Sequence, residues 1–331
     1  DVDKGWQVGT LGGLSAPCAK VAFSPDERWL AGLSHNWEVA VWDMANHRLD
    51  RVLAVPPGNS ADNAALAFSP DAGELAFATR GSASVWDRRT GQCVNLWTNL
   101  PPGLAQQLAY DRAGHLLHFQ WDRPESPNTN GICRIRDLLS ADPTNHLAQF
   151  AECRSVLCAA LSLDGQWAVV CAAGQRAAED AHRLQVFEPL TGRLRWELPS
   201  ENRGSSDWFA MDPGGTVLAY QHPVRLDVTL YRIPEGTPWE KSLAFVTALS
   251  PAGNWQTTAR LDNGPGLELH RADDAHWRLV LGVDNRTQSQ AFSPSGHYLA
   301  WGTDQGTVYF CDLQRTISEL ETQKLGWRGK H

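Results

Sequence analysis

The chain has 331 residues, 42% of them hydrophobic and 20% charged, which leaves room for a sizeable core and argues against disorder throughout. Its net charge of −8 argues against a general nucleic-acid binder, which needs a basic surface. Turn formers are plentiful, with 28 Gly and 19 Pro, and Trp is unusually common at 15 against only 2 Met.

The first segment, Trp6 to Leu11, reads as a short outer strand that precedes any repeat. A phrase then recurs: Ala22-Phe23-Ser24-Pro25-Asp26, Ala67-Phe68-Ser69-Pro70-Asp71 and Ala291-Phe292-Ser293-Pro294-Ser295-Gly296. Degenerate copies centre on Tyr110, Leu161, Met211 and Leu249, so seven copies lie 38 to 51 residues apart. Each copy predicts a strand, a tight turn in which Pro presets φ, and a second strand such as Trp29-Leu30-Ala31-Gly32. A third strand follows, ending in phrases such as Val41-Trp42-Asp43 and Val85-Trp86-Asp87, and then a fourth such as Leu194-Arg195-Trp196-Glu197-Leu198. Four short antiparallel strands repeated seven times predict an all-β, seven-bladed β-propeller with repeats starting near 20, 65, 107, 158, 207, 246 and 289. Residues 1–331 read as a single domain.

The last repeat shows only three strands before its character changes, so the N-terminal strand is expected to complete the seventh blade and close the ring. Beyond it, Asp312 can cap a helix over about 313–325, with Leu313, Ile317 and Leu320 at i, i+4 and i+7. The alternative makes residues 313–320 the fourth strand.

The Trp-Asp strand ends at this period resemble the WD40-repeat family, in the divergent bacterial form found in multidomain regulatory or kinase-linked chains. The resemblance covers about residues 5–312 and implies a protein-interaction propeller, one module of a larger signalling protein, with partners bound around the channel mouth. Two departures stand out. The Gly-His pair that often opens a repeat is missing from every copy, and only Asp304 matches the loop Asp that would pair with that His.

No nucleotide, hydrolase or metalloprotease motif occurs, and no catalytic residue, cofactor or metal is expected. His115 and His118 at i, i+3 on a strand point to opposite faces and make a poor metal pair. The seven scattered Cys read as buried thiols, with Cys153 and Cys158 as a disulfide only if the backbone turns between them. The loops between second and third strands hold the candidate partner-binding residues Trp37, Arg80, Trp121, Arg123, Arg176, Arg225 and Arg260. Arg and Trp dominate interface energies, so these loops suit a protein or peptide partner, acidic or phosphorylated. Asp122, Asp227, Asp262 and Asp304 nearby oppose that reading by neutralising the rim. The excess Trp is otherwise assigned to packing between blades.

No apolar run is long enough to span a membrane. A monomeric domain is expected, cytoplasmic, or extracytoplasmic if an upstream span precedes Asp1. The competing function is a propeller enzyme or small-molecule sensor working at the channel mouth.

Overall fold

The computed structural model describes residues 8–58, 60–61, 64–79, 81–98, 100, 104–122, 131–141, 146–153, 156–173, 182–199, 208–221, 228–242, 246–258, 267–274, 277–281 and 285–322. A lone strand β1 (Val8–Leu11) comes first. Blade 1 is β2 (Cys18–Phe23), β3 (Trp29–Ser34), β4 (Glu38–Asp43) and β5 (Arg48–Ala54). Blade 2 is β6 (Ala65–Phe68), β7 (Glu74–Thr79), β8 (Ser82–Asp87) and β9 (Cys93–Thr98). Blade 3 is β10 (Leu104–Tyr110), β11 (Leu116–Asp122), β12 (Gly131–Asp137) and β13 (His146–Cys153). Blade 4 is β14 (Val156–Leu161), β15 (Ala168–Ala173), β16 (His182–Glu188) and β17 (Arg193–Pro199). Blade 5 is β18 (Trp208–Met211), β19 (Val217–Gln221), β20 (Val228–Arg232) and β21 (Thr237–Ser242). Blade 6 is β22 (Val246–Leu249), β23 (Trp255–Thr258), β24 (Leu267–Arg271) and β25 (Arg278–Leu281). Blade 7 is β26 (Thr287–Phe292), β27 (Tyr298–Thr303) and β28 (Val308–Asp312), followed by the helix α1 (Leu313–Thr322).

All seven sheets are four-stranded. The fourth strand of blade 7 is β1, which pairs antiparallel with β28 through Val8 to Cys311 and Leu11 to Val308. The expected closure is therefore observed, and the first strands of neighbouring blades touch all the way round the ring. The alternative fourth strand is replaced by α1: the Arg315 N–H donates to Asp312 Oδ1 at 2.9 Å, and Leu313, Thr316 and Leu320 are buried. Gly326 lies outside the described residues.

One turn, built seven times, explains why the repeat folds locally. The residue after the strand-ending aromatic or aliphatic is a buried Ser or Asp: Ser24, Ser69, Asp111, Ser162, Asp212, Ser250 and Ser293. Its backbone N–H donates to the carbonyl four or five residues on, as Ser24 does to Trp29. Its side-chain oxygen accepts from the returning strand, at 2.9 Å from the Trp29 N–H and 2.6 Å from the Val217 N–H. Its carbonyl accepts from the residue three positions on, which is left-handed in every copy. Glycine fills that position in blades 3 to 7, while Glu27 (φ 58°) and Ala72 (φ 56°) occupy it in blades 1 and 2.

The core is divided among the junctions. Each pair of neighbouring blades encloses its own apolar cluster, seven in all among the described residues. Trp42 and Trp301 are wholly buried in two of them. Trp86, Trp97 and Trp196 are half-buried against others and Trp277 against that of Trp301, so the packing role expected for the indoles is observed.

Candidate functional site

Turns joining first to second and third to fourth strands share one face of the ring, and loops joining second to third strands share the other. Of the seven loop-face candidates, Arg80, Arg123, Arg176, Arg225 and Arg260 lie outside the described residues. Trp121 is in β11 rather than in a loop, opposite Leu104 and Cys133. Trp37 is at the tip of its loop in the left-handed region (φ 64°). That conformation turns its indole edge-on to Phe77 of blade 2, with ring centroids 6.3 Å apart, where it is half-buried against the blade 1–2 cluster. Trp37 thus contacts the junction while part of its surface stays accessible.

Among the described residues the buried Oδ1 of Asp304 has no hydrogen-bond partner. The first strands also hold polar groups. The Thr247 hydroxyl donates to Gln290 Oε1 at 2.8 Å, linking blades 6 and 7.

The described clefts open on the turn face. One of about 430 Å³ lies between blades 3 and 4, where Asp111, Arg112, Asp164, Trp167, Glu188 and Leu190 meet. Its carboxylates are all engaged. Asp111 binds the His115 ring at 2.6 Å, Asp164 takes the Ser162 hydroxyl and Arg112, and Glu188 takes Arg195 and the Thr191 hydroxyl. The Asp111 carboxylate holds His115 above the ordinary histidine pKa. Thus His115 serves the turn, while His118 is buried in β11.

A second cleft, of about 370 Å³, lies where Trp239 of blade 5 meets Asn254, Trp255, Arg271 and Asp273 of blade 6. Trp239 is 39% exposed. Trp255 is braced edge-on by Trp277 at 5.0 Å, and Arg271 forms a bidentate pair with Asp273 at 2.9 and 2.6 Å. Guanidiniums sit over both cleft indoles: Arg232 is 5.2 Å from the Trp239 ring centre and Arg271 5.7 Å from that of Trp255. Trp239 escapes a reading from repeats, because it belongs to a fourth strand, the least regular part of each copy. The one available signal is a Trp between Pro238 and Glu240 in an otherwise polar stretch.

Among the described residues no group of three or more His, Cys, Asp or Glu is placed to hold a metal ion. Burial pushes the Cys18 thiol up to about 12 and Cys311 to about 11, so both stay protonated and unreactive. The Cys153–Cys158 pair lies outside the residues whose side chains are described. Among the described residues no helix is long and apolar enough to cross a membrane. In comparisons with known proteins, no family model matches the chain and no curated protein matches it.

Proposed function

We propose that this propeller is a non-catalytic interaction module that docks a protein partner on its turn face. The observation that carries the reading is the cleft walled by Trp239, Trp255 and Arg271. Trp and Arg are the residue types that dominate interface energies, and they do so when held rigidly around a pocket that takes one side chain of the partner. Here Trp277 and Asp273 supply that rigidity. The cleft volume suits one or two side chains of a docking segment.

The test compares proteins recovered on the immobilised full chain with those recovered on two variants. A Trp239→Ala, Arg271→Ala variant is expected to lose a partner that the wild type retains. A variant with Arg80, Arg123 and Arg260 all replaced by Ala, in segments joining second to third strands, is expected to keep it. The reverse result assigns docking to the loop face. A substrate-induced melting shift abolished by neither variant supports the enzyme or sensor reading instead.

A further inference from the structure

The fourth strand of each blade pairs on one side only, and an open strand edge recruits further strands unless charge or cover blunts it. Most of these strands carry charge: Asp50 and Arg51 on β5, Glu152 on β13, Arg195 on β17, Lys241 on β21 and Arg278 on β25. The uncharged β1 is only four residues long and ends in the buried Leu11. By contrast β9 reads Cys93-Val94-Asn95-Leu96-Trp97-Thr98, inside a run from Thr90 to Leu100 that holds no charged residue, in a chain that is 20% charged. Leu96 at 54% and Val94 at 48% are the most exposed large apolar side chains among the described residues.

The ladder shows which backbone groups of β9 are open. The Asp87 N–H donates to the Gln92 carbonyl on the β9 side, and the Arg88 N–H donates to the Gly73 carbonyl on the β7 side. Odd-numbered residues of β8 therefore bond β9, and even-numbered ones bond β7. Leu96 and Thr98 lie opposite Ser84 and Ser82, so their own N–H and C=O groups point away from the blade. Trp97 turns its side chain into the cluster between blades 2 and 3, and Leu96 turns to the other face. A bulge at Val94, matched in blades 1, 3, 4 and 5, interrupts the regular ladder on that side.

We infer that β9 pairs with β9 of a second copy of this chain, antiparallel about a two-fold axis at Leu96, so that two blades join in one eight-stranded sheet. An antiparallel pair with two-fold symmetry sets one residue opposite its own copy. Leu96 fits that place. Its outward N–H and C=O bond those of its copy, the two leucine side chains cover each other on one face, and Asn95 meets Trp97 of the partner subunit on the other. Charge selects a second copy as the occupant. At −8, two copies repel over most of their surface and meet at least cost where neither is charged. A charged edge such as β17 would bring Arg195 toward its own like, whereas β9 meets itself without any such pair. The contact consumes both open edges, so assembly stops at the dimer. The bulge keeps the ladder short, so the dimer is weak, with a Kd of about 50 µM. The edge lies on the outer rim, and docking on the turn face neither requires this dimer nor follows from it.

Sedimentation equilibrium of the full chain under reducing conditions tests this. The weight-average mass is expected to rise from the monomer value at about 1 µM to about 1.7-fold at about 300 µM, without larger species. Leu96→Lys, at an exposed position that folding tolerates, should hold the chain monomeric throughout by setting two ammonium groups across the axis. Cross-linking locates the contact. In a Cys93→Ser background, Leu96→Cys should oxidise to a covalent dimer at least about tenfold faster than Leu194→Cys, which places a thiol on the charged edge of blade 4. A chain that is monomeric at every concentration overturns the inference and leaves the edge to a strand of another protein. A dimer that persists in Leu96→Lys overturns it as well, as do equal oxidation rates, since the copies then meet elsewhere.

Discussion

Glu27 of blade 1 holds Ser295 of blade 7: its carboxylate accepts from the Ser295 N–H and, at 2.7 Å, from the Ser295 hydroxyl. Each residue departs from the repeat. Glu27 stands at the left-handed turn position that is glycine in five blades, and Ser295 stands where blades 1, 2 and 4 have Asp26, Asp71 and Asp164. The two departures meet across the seam between the first and last repeats, where the regular Asp would repel the carboxylate. Ser295→Asp is expected to cost about 1 kcal/mol, because the contact is exposed and only its charge-assisted bonds are lost. Glu27→Gly in the same chain should recover most of that loss. A double-mutant cycle in urea measures the coupling, and additive effects would remove it.

The turn staple separates backbone strain from collision. Gly114 (φ 89°) has open space where a Cβ would go, whereas a Cβ on Gly165 (φ 66°) would sit 2.8 and 2.9 Å from Cβ and Cα of Asp111. Gly114→Ala should therefore cost about 1 kcal/mol from the left-handed conformation alone. Gly165→Ala should cost about 3 kcal/mol or more, since backbone must move. Equal midpoint shifts in denaturant would show that strain dominates at both turns.

Asp212 takes the place that Ser holds in five turns. Burial raises its pKa even though it accepts from the Gly214, Thr216 and Val217 N–H groups and the Thr216 hydroxyl. A carboxyl whose folded pKa exceeds its unfolded value supports the fold fully below the unfolded value, about 4, and that support is lost as pH rises through the folded value. Asp212→Ser should then compare best with wild type at pH 7 and worst at pH 4. A difference in Tm that stays constant over this window would show that the carboxyl does not titrate on folding.

Arg88 joins blades 1 and 2. Its guanidinium lies 3.7 Å from the Trp29 ring centre while Nε donates to the Ala72 carbonyl at 2.9 Å. A planar, stacked cation with a directed N–H has no lysine equivalent. Arg88→Lys should lose about 1 kcal/mol, close to the loss for Arg88→Gln, as read from chemical denaturation. Full retention with Lys would mean that charge alone matters at this contact.

Much of the architecture was legible because it is written in local chemistry. Pro25, Pro70 and Pro294 mark the turns, the missing fourth strand after Cys311 points to β1, and Asp312 marks the helix start. The buried Ser24 and its six counterparts were visible as a pattern, but their staple role depends on a carbonyl and an N–H that meet only in the folded turn. The clefts were not legible, since Trp239 and Trp255 belong to different copies and converge only when blades 5 and 6 stack. For the same reason Trp37 looked like a free anchor: its left-handed backbone, which turns the indole onto Phe77, leaves no mark on residue type.

The pairing of β1 with β28 also orders events in time. Val8 to Leu11 are synthesised some three hundred residues before their partners Val308 to Cys311. Until then β1 has no strand to pair with, and blade 1 presents an uncovered flank to whatever surrounds the growing chain. Blades 2 to 6 can each form as they emerge, but blade 7 is completed only by a contact between the first and last strands of the propeller, a far longer loop closure than any within a blade. A propeller truncated before Val308 is therefore an open arc with two unpaired flanks, whereas one that includes Asp312 can join them.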